Sequence, residues 1–255
     1  MHIPTGYISL LQRLYCKQQA YISTVATSRL FDICRGVRQG DPISPLLFIS
    51  VMEHIFLRLK AYWLTANARR KGPEYGVRIS TEGDPLTNLR FADDCMLFAQ
   101  SCSDAKKMLK RFIEISDEYG LQVHTSKTKL LTWAQFSLGR KSIQIADNTF
   151  SILAEDECER YLGRKLCLHN CQATELDHRI SASWAKFNYF REELTSKSYP
   201  LAARLRLFEA LVTPTVLYGS CAWALTRTMA MDLDIVRRKM LRSVLRIFWN
   251  KNAED

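Results

Sequence analysis

The sequence contains no run of eighteen or more apolar residues, and its first residues, MHIPTG, lack a charged region followed by an apolar one. A membrane-spanning helix needs about twenty such residues, and a secretory signal needs that N-terminal order. We therefore expect neither a membrane span nor a signal peptide. Internal repeats and low-complexity stretches are also absent from the sequence.

Acidic residues are scarce relative to basic ones. The chain has 26 Asp and Glu against 36 Lys and Arg, a formal net charge of +10. Such a surplus favours an anionic partner, with nucleic acid the first candidate and a membrane surface the second. Because 47% of the 255 residues are hydrophobic, the chain can form a real core, in one large domain or two small ones.

The cysteines follow no familiar zinc-finger spacing. Eight of them are scattered through the chain, most within apolar segments, which is typical of reduced, buried thiols in an intracellular protein. Cys167, His169 and Cys171 lie close together, with His178 following, so a zinc site is an alternative for this segment.

Two adjacent acids, Asp93 and Asp94, interrupt an apolar stretch that runs from Asn88 to Gln100. The apolar residues on both sides predict a tight β-hairpin with the acids at its tip. Ionised carboxylates there can hold Mg²⁺, which proteins usually share with substrate phosphates. A solvated acidic turn is the alternative, because Asp is a common turn residue.

Upstream of this hairpin, a loop that contains glycines leads into an apolar helix. Gly36 and Gly40 precede Asp41 and Pro42, a good N-cap and a good first helical residue, so we expect the helix to begin here and to run through Leu59 with its first turns buried. The free N–H groups at its N-terminus suit a phosphate or a base edge. A well-capped core helix is the alternative.

Local patterns predict the other elements. They are a helix within 4–19, a hairpin within 20–34 that turns near Arg29, a helix from Ser103 to Gly120, a hairpin that turns at Asp147–Asn148, and a short strand within 160–166. In an extended segment, Lys127 and Lys129 would face the same side. Helices dominate after about residue 170, so the fold class is α+β.

The last helix has an apolar and a basic face. Its apolar residues are Leu233, Val236, Met240, Val244 and Phe248, and its outward cations are Arg237, Arg238, Lys239, Arg242 and Arg246. Such a face can lie along a nucleic-acid backbone or on a membrane, or can simply be solvated. The α/β segment before it favours nucleic acid.

Four motifs in one order make the chain resemble the reverse transcriptases of non-LTR retrotransposons, specifically the second half of the palm followed by the thumb. They are Gly36–Phe48 (similar to motif B), Phe91–Asp94 (motif C), Gly120–Leu131 (motif D) and Tyr161–Gly163 (motif E, the primer grip). Tyr218 and Gly219, with Trp223, resemble thumb elements. The resemblance implies a partial polymerase palm over 1–170 and an α-helical thumb over 171–255.

The resemblance also implies roles in a two-metal phosphoryl transfer. Asp93 would be the principal Mg²⁺ ligand, with Asp94 in a supporting role, and Lys127 would act near the triphosphate. The remaining implied contacts are Arg38, Gln39 and Gly40 with the template and nucleotide, Tyr161, Leu162 and Gly163 with the primer, and Arg237, Arg238, Arg242 and Arg246 with the duplex. The implied partners are an RNA template and a DNA primer, and the implied location is the nucleus.

The sequence departs from the family upstream of motif B. The family's second metal-binding aspartate, in motif A, has no counterpart there: Asp32 is the one acid before Arg35, and it lies too close to motif B. His124 also stands where the family usually has Asn. We therefore expect a fragment that retains half of the metal site and does not polymerise alone. A non-catalytic nucleic-acid-binding remnant and an unstable product are the alternatives.

Overall fold

The computed structural model describes residues 3–133, 135 and 139–247. The chain forms two compact units, Met1–Val123 and His124–Asp255. Both contain helices and small sheets, which confirms the α+β class. None of the described helices combines the length and the apolar character needed to cross a membrane. The predicted division at residue 170 stays a prediction.

The described part of the first unit is built from helices and two antiparallel strand pairs. The helices are α1 (Thr5–Tyr15), α2 (Ser44–Arg69) and α3 (Cys102–Glu118). The strands are β1 (Gln19–Ala20) with β2 (Phe31–Asp32), and β3 (Asn88–Phe91) with β4 (Asp94–Leu97). The helix expected within 4–19 is therefore confirmed.

The first strand pair turns earlier than the sequence predicts. An isolated bridge joins Ser23 to Thr27, so the turn lies at 24–26 and the prediction of a turn near Arg29 is wrong. The Ser28 hydroxyl accepts a backbone N–H from across the pair at 2.8 Å and holds this tighter closure.

Helix α2 begins at Ser44, not at Pro42. The prediction that Asp41 caps the helix is wrong, because its Oδ1 instead accepts the N–H of Ile43 at 3.1 Å and closes a turn before the first helical residue. Pro45 lies in the first turn, where its missing N–H removes no intrahelical hydrogen bond.

Helix α2 is buried in its middle and not at its start. Leu46 is 65% exposed and Ile49 is 50% exposed, so the prediction of buried first turns is wrong. The helix continues past Leu59 to Arg69, and it packs against α3 and the strands of the second pair. The buried cluster contains Met52, Ile55, Phe56, Leu59, Trp63, Tyr75, Met108 and Ile115.

Helix α3 has well-formed ends. The predicted cap Ser103 is wrong by two positions, because Ser101 Oγ accepts the N–H of Asp104 at 3.1 Å. The buried Asp104 carboxylate also accepts a hydrogen bond from Arg70 at 2.7 Å, which joins α3 to the end of α2. Gly120 follows the helix with φ +71°, the left-handed conformation that ends many helices.

The described strands of the second unit form a three-stranded sheet and a separate hairpin. They are β5 (Lys129–Leu131), β6 (Ser142–Ile145), β7 (Asn148–Leu153), β8 (Glu159–Tyr161) and β9 (Arg164–Leu166). The sheet order is β5-β7-β6, with β5 parallel to β7 and β6 antiparallel to it. The predicted β6–β7 hairpin forms, but it turns at Ala146–Asp147, one residue earlier than expected.

The segment predicted as one strand within 160–166 is a hairpin. Strands β8 and β9 pair antiparallel around Leu162 and Gly163, whose φ angles are +49° and +75°. Two successive left-handed residues are typical of a tight hairpin turn, and glycine adopts that conformation without steric strain. The prediction of a continuous strand is wrong for this reason.

Helices form most of the remaining described part of the second unit. They are α4 (Cys171–Tyr189), α5 (Arg191–Thr195), α6 (Leu201–Leu211), α7 (Thr213–Leu217), a 3₁₀ turn (Ser220–Ala222) and α8 (Arg227–Leu245). Their buried cluster consists of Phe187, Leu194, Phe208, Val212, Met240 and Val244. The predicted inward face of the last helix is confirmed at Met240 and Val244, while Phe248 lies outside the described residues.

Candidate active site

The acidic pair lies at the tip of the β3–β4 hairpin, as the sequence predicts. Phe91 pairs with Asp94, so Ala92 and Asp93 form a two-residue turn. Ala92 has φ +53°, a left-handed conformation that costs a non-glycine residue about 1 kcal/mol. Both carboxylates are exposed, and neither forms an ion pair within the part of the chain that the structure describes. The tip therefore presents two unneutralised charges to solvent.

The stem of this hairpin is fixed to the first core. Arg90 lies over the Phe56 ring at 4.5 Å and forms an ion pair with Glu53 at 2.8 Å. On β4, Cys95 and Leu97 pack against the buried cluster of α2 and α3. The carboxylates thus project from a rigid base.

Burial disfavours the thiolate form of Cys95. Burial raises its pKa to about 11; the nearby Arg90 opposes this shift, and Asp93 and Asp94 add to it. The thiol therefore stays protonated, and metal binding needs the thiolate. The oxygen donors available at the tip are the two carboxylates, a set that suits a hard divalent cation.

The β6–β7 hairpin has the same local turn. Ala146, with φ +50°, and Asp147 connect Ile145 to Asn148, just as Ala92 and Asp93 connect the strands of the first hairpin. The second hairpin carries Asn148 at the position that corresponds to Asp94. A second carboxylate, and not the turn geometry, distinguishes the acidic tip.

The loop before α2 is exposed over Arg38, Gln39 and Gly40. Arg38 donates a hydrogen bond to the Leu14 carbonyl at 3.0 Å, at the end of α1, and its guanidinium lies 5.9 Å from the Tyr15 ring centroid. Gly40 has φ +90° with open space around it. Arg38 is therefore tied to α1, while Gln39 and Gly40 are accessible; their predicted contacts with template and nucleotide stay predictions.

Lys127 lies in an exposed turn of the second unit. The His124 carbonyl accepts the N–H groups of Lys127 at 3.2 Å and of Thr128 at 3.0 Å. The condition for Lys127 and Lys129 to face one side, an extended segment, is not met at Lys127, because the strand begins only at Lys129, whose Nζ donates to Ser151 at 2.9 Å. The predicted role of Lys127 near a triphosphate stays a prediction.

The predicted primer-grip residues Tyr161, Leu162 and Gly163 lie at the β8–β9 turn. Sequence reasoning missed two side chains of α4 beside this turn: Arg179, which donates to the Gly163 carbonyl, and Glu175, which pairs with Arg179. Their four-residue spacing is the signal that could have suggested an ion pair within one helix.

The basic face of α8 is exposed as predicted. Arg238 and Arg242 are four residues apart and lie on one stripe, and Arg237 lies to the side of it. Arg246 follows the last helical residue in a left-handed conformation, with φ +58°. Arg238 pairs with Asp234, and that hydrogen bond holds the pKa of the Asp234 carboxyl below its usual value. These cations give α8 a positively charged outer face, and Met240 and Val244 anchor its inner face in the core.

The zinc alternative finds no support in the described residues, which contain no group of three or more His, Cys, Asp or Glu able to hold a metal ion. The Cys167 thiol is buried and donates to the His169 carbonyl at 3.0 Å. Burial, together with Arg179 and Lys165, lowers the pKa of His178. Burial also raises the pKa of the Cys167 thiol, which disfavours the thiolate that zinc needs.

Comparison with known proteins identifies the class. The model of the family described as reverse transcriptase (RNA-dependent DNA polymerase) matches residues 2–166. A transposon-derived protein of Caenorhabditis elegans is 32% identical over 175 residues, which cover 68% of this chain and 61% of that protein.

Two insect polyproteins are also similar. The retrovirus-related Pol polyprotein of the type-2 retrotransposable element R2DM of Drosophila melanogaster is 29% identical over 126 residues, 49% of this chain and 10% of the polyprotein. That of the type-1 element R2 of Nasonia vitripennis is 28% identical over 156 residues, 55% of this chain and 14% of the polyprotein. The chain thus spans less than two thirds of each of these relatives.

The chain belongs to the reverse transcriptase family. It is a reverse transcriptase domain of the non-LTR retrotransposon type. The family as a whole acts on nucleic acid and generally uses a divalent metal.

Proposed function

We propose that this chain supplies one carboxylate cluster of the two-metal site of an RNA-directed DNA polymerase, with Asp93 as the principal Mg²⁺ ligand and Asp94 in a supporting role. The observation that carries this function is the pair of exposed, unneutralised carboxylates on an anchored hairpin tip. Mg²⁺ commonly uses one or two carboxylates and completes its shell with water and substrate phosphates, so the donor set fits.

The other motifs extend this function to an RNA template and a DNA primer. Gln39 and Gly40 would line the nascent base pair, with Arg38 holding their loop against α1. Lys127 would favour departure of the pyrophosphate by placing positive charge near it. The β8–β9 turn would hold the primer end, and the basic face of α8 would follow the duplex backbone. The site of action would be the nucleus.

Bound Mg²⁺ would supply charge stabilisation at the attacking and leaving oxygens. The residues of this chain provide the oxygen ligands and their fixed position. The anchoring of β3 through Arg90 matters here, because a ligand on a rigid strand needs less ordering when the ion binds.

The acidic tip should bind a divalent ion more tightly than the matched turn. Mn²⁺ can replace Mg²⁺ in an NMR titration because its paramagnetism broadens nearby amide signals. We expect broadening of Ala92–Cys95 at low Mn²⁺ and a loss of affinity of about tenfold or more in Asp93→Asn, since the ion–carboxylate attraction is removed. Asp147→Asn is the control, because its turn has the same geometry with a single acid. Equal broadening at both turns would contradict the metal role.

Residues 1–255 alone are expected not to extend a DNA primer on an RNA template with Mg²⁺ and nucleotides. The two ions of this mechanism are held jointly, and the sequence contains one of the two carboxylate clusters that the family uses. A gel assay of primer length gives the measurement. Extension by the wild-type chain that disappears in Asp93→Asn and persists in Asp147→Asn would overturn this expectation.

The exposed basic face of α8 favours a second function, binding of an RNA–DNA hybrid without catalysis. Phosphate contacts by Arg and Lys give affinity that falls steeply as salt rises. Salt-sensitive retention of a hybrid in the absence of primer extension would support this second function.

A further inference from the structure

A buried ion pair lies directly against the β8–β9 turn. Glu175 is fully buried and Arg179 is 7% exposed, both on α4. Glu175 Oε1 accepts a hydrogen bond from Arg179 Nε at 2.7 Å, and its Oε2 accepts the backbone N–H of Lys165 at 2.7 Å. Burying two charges carries a large desolvation cost, so stability alone is a weak reason for such a pair.

Arg179 of this pair and Tyr218 both donate hydrogen bonds to main-chain carbonyls of the turn. Arg179 Nη2 donates to the Gly163 carbonyl, and its guanidinium lies 4.6 Å from the Tyr218 ring centroid. The Tyr218 hydroxyl donates to the Leu162 carbonyl at 2.9 Å. Side chains from outside the hairpin therefore hold the carbonyls of both turn residues.

Two glycines permit this close approach. A Cβ atom on Gly163 would lie 3.3 Å from the Tyr218 ring, and one on Gly219 would lie 3.1 Å from the Arg164 side chain. Both glycines also have positive φ angles, +75° and +73°. A side chain at either position would therefore have a strained φ angle and would require the facing side chain to shift by a few tenths of an ångström.

The turn is partly accessible to solvent. Gly163 is exposed, and Tyr161 and Leu162 are half-buried. A partly exposed hairpin tip normally varies in conformation, because few buried contacts restrain it. Here the hydrogen bonds from Arg179 and Tyr218 remove that freedom while leaving a surface accessible.

We propose that Glu175, Arg179 and Tyr218 are positioning residues that hold the Tyr161–Gly163 turn in one geometry so that it can contact the 3′ end of a DNA strand paired with RNA. This role rests on the proposed function. Glu175 orients Arg179, Arg179 and Tyr218 fix the two carbonyls, and the exposed side of the turn meets the strand end.

Tyr218→Phe tests the role, because it removes one hydrogen bond and keeps the ring against Gly163 and Arg179. The probes are two fluorescent RNA–DNA hybrids, one with a recessed DNA 3′ end and one with blunt ends, titrated with the full chain. We expect the preference for the recessed end to fall about fivefold, the effect of one lost neutral hydrogen bond. Hydrogen exchange at the amides of Gly163 and Arg164 should become faster by a similar factor.

Tyr199→Phe is the matched control, because Tyr199 is 51% exposed and Tyr218 is 50% exposed. It should change neither the end preference nor the exchange. Arg179→Lys keeps the charge beside Glu175 but loses the planar fork, and it should reproduce the Tyr218→Phe effect without unfolding the chain.

The possible results distinguish a failure of the positioning role from a failure of the proposed function. If the wild-type chain prefers recessed ends and both variants keep that preference with unchanged exchange, the positioning role is wrong and the proposed function stands. If the wild-type chain binds neither hybrid, the proposed contact with nucleic acid is wrong and the positioning role falls with it. A fall in preference confined to Tyr218→Phe and Arg179→Lys supports the role.

Discussion

Replacing Arg237, Arg238, Arg242 and Arg246 together with alanine is expected to lower the affinity for an RNA–DNA hybrid by about three orders of magnitude at roughly 0.1 M monovalent salt. Each phosphate contact releases condensed counterions and contributes about −0.9 to the slope of log K against log salt on a duplex. The slope should therefore become shallower by about 3 to 4. Fluorescence anisotropy over a series of salt concentrations measures both quantities.

A second quadruple variant controls for net charge. Lys60, Arg69, Lys106 and Lys107 are exposed cations of the first unit, and their replacement with alanine removes the same number of charges. We expect a much smaller loss of affinity, because long-range charge alone is screened at this salt concentration. Equal losses in both variants would show that total charge, and not the face of α8, determines binding.

Replacing Glu175 with alanine is expected to lower the free energy of unfolding by about 3–5 kcal/mol, because it leaves the Arg179 guanidinium buried without a counter-charge. The backbone N–H of Lys165 also loses its acceptor. Urea unfolding followed by circular dichroism measures the loss. Glu175→Ala therefore reports on the stability of the fold, whereas the milder Tyr218→Phe reports on the positioning of the turn.

Glu209→Ala is the matched control for this substitution. Glu209 is an exposed glutamate of α6, so its replacement should change the unfolding free energy by less than about 0.5 kcal/mol. A loss at Glu175 no larger than that at Glu209 would mean that water reaches the Arg179 charge and that the pair is not buried in solution.

The sequence predicts the acidic hairpin well because the signal is local. Apolar residues on both sides of two acids determine where the chain turns, and the structure turns there. The same local logic predicts the β6–β7 hairpin within one residue. Local geometry cannot by itself assign function, since Ala146–Asp147 forms the same turn as Ala92–Asp93.

Predictions of structure that depend on contacts in the folded chain are less accurate. Asp41 and Pro42 have the right residue types to start a helix. The Asp41 side chain instead accepts the N–H of Ile43 and closes a turn before the helix begins. Leu46 and Ile49 have an apolar pattern typical of burial and are exposed, since burial depends on which surfaces the fold brings against them.

The sequence by itself determined the α+β class, the acidic hairpin tip, the family motifs and the basic outer face of α8. Each of these depends on short segments, in which backbone period and turn chemistry decide the outcome, or on the order of such segments along the chain. The tertiary structure alone decided that Arg179 and Tyr218 meet at the turn of Leu162 and Gly163. The Tyr218 contact joins residues 56 positions apart, and such contacts arise only when packing brings distant segments together.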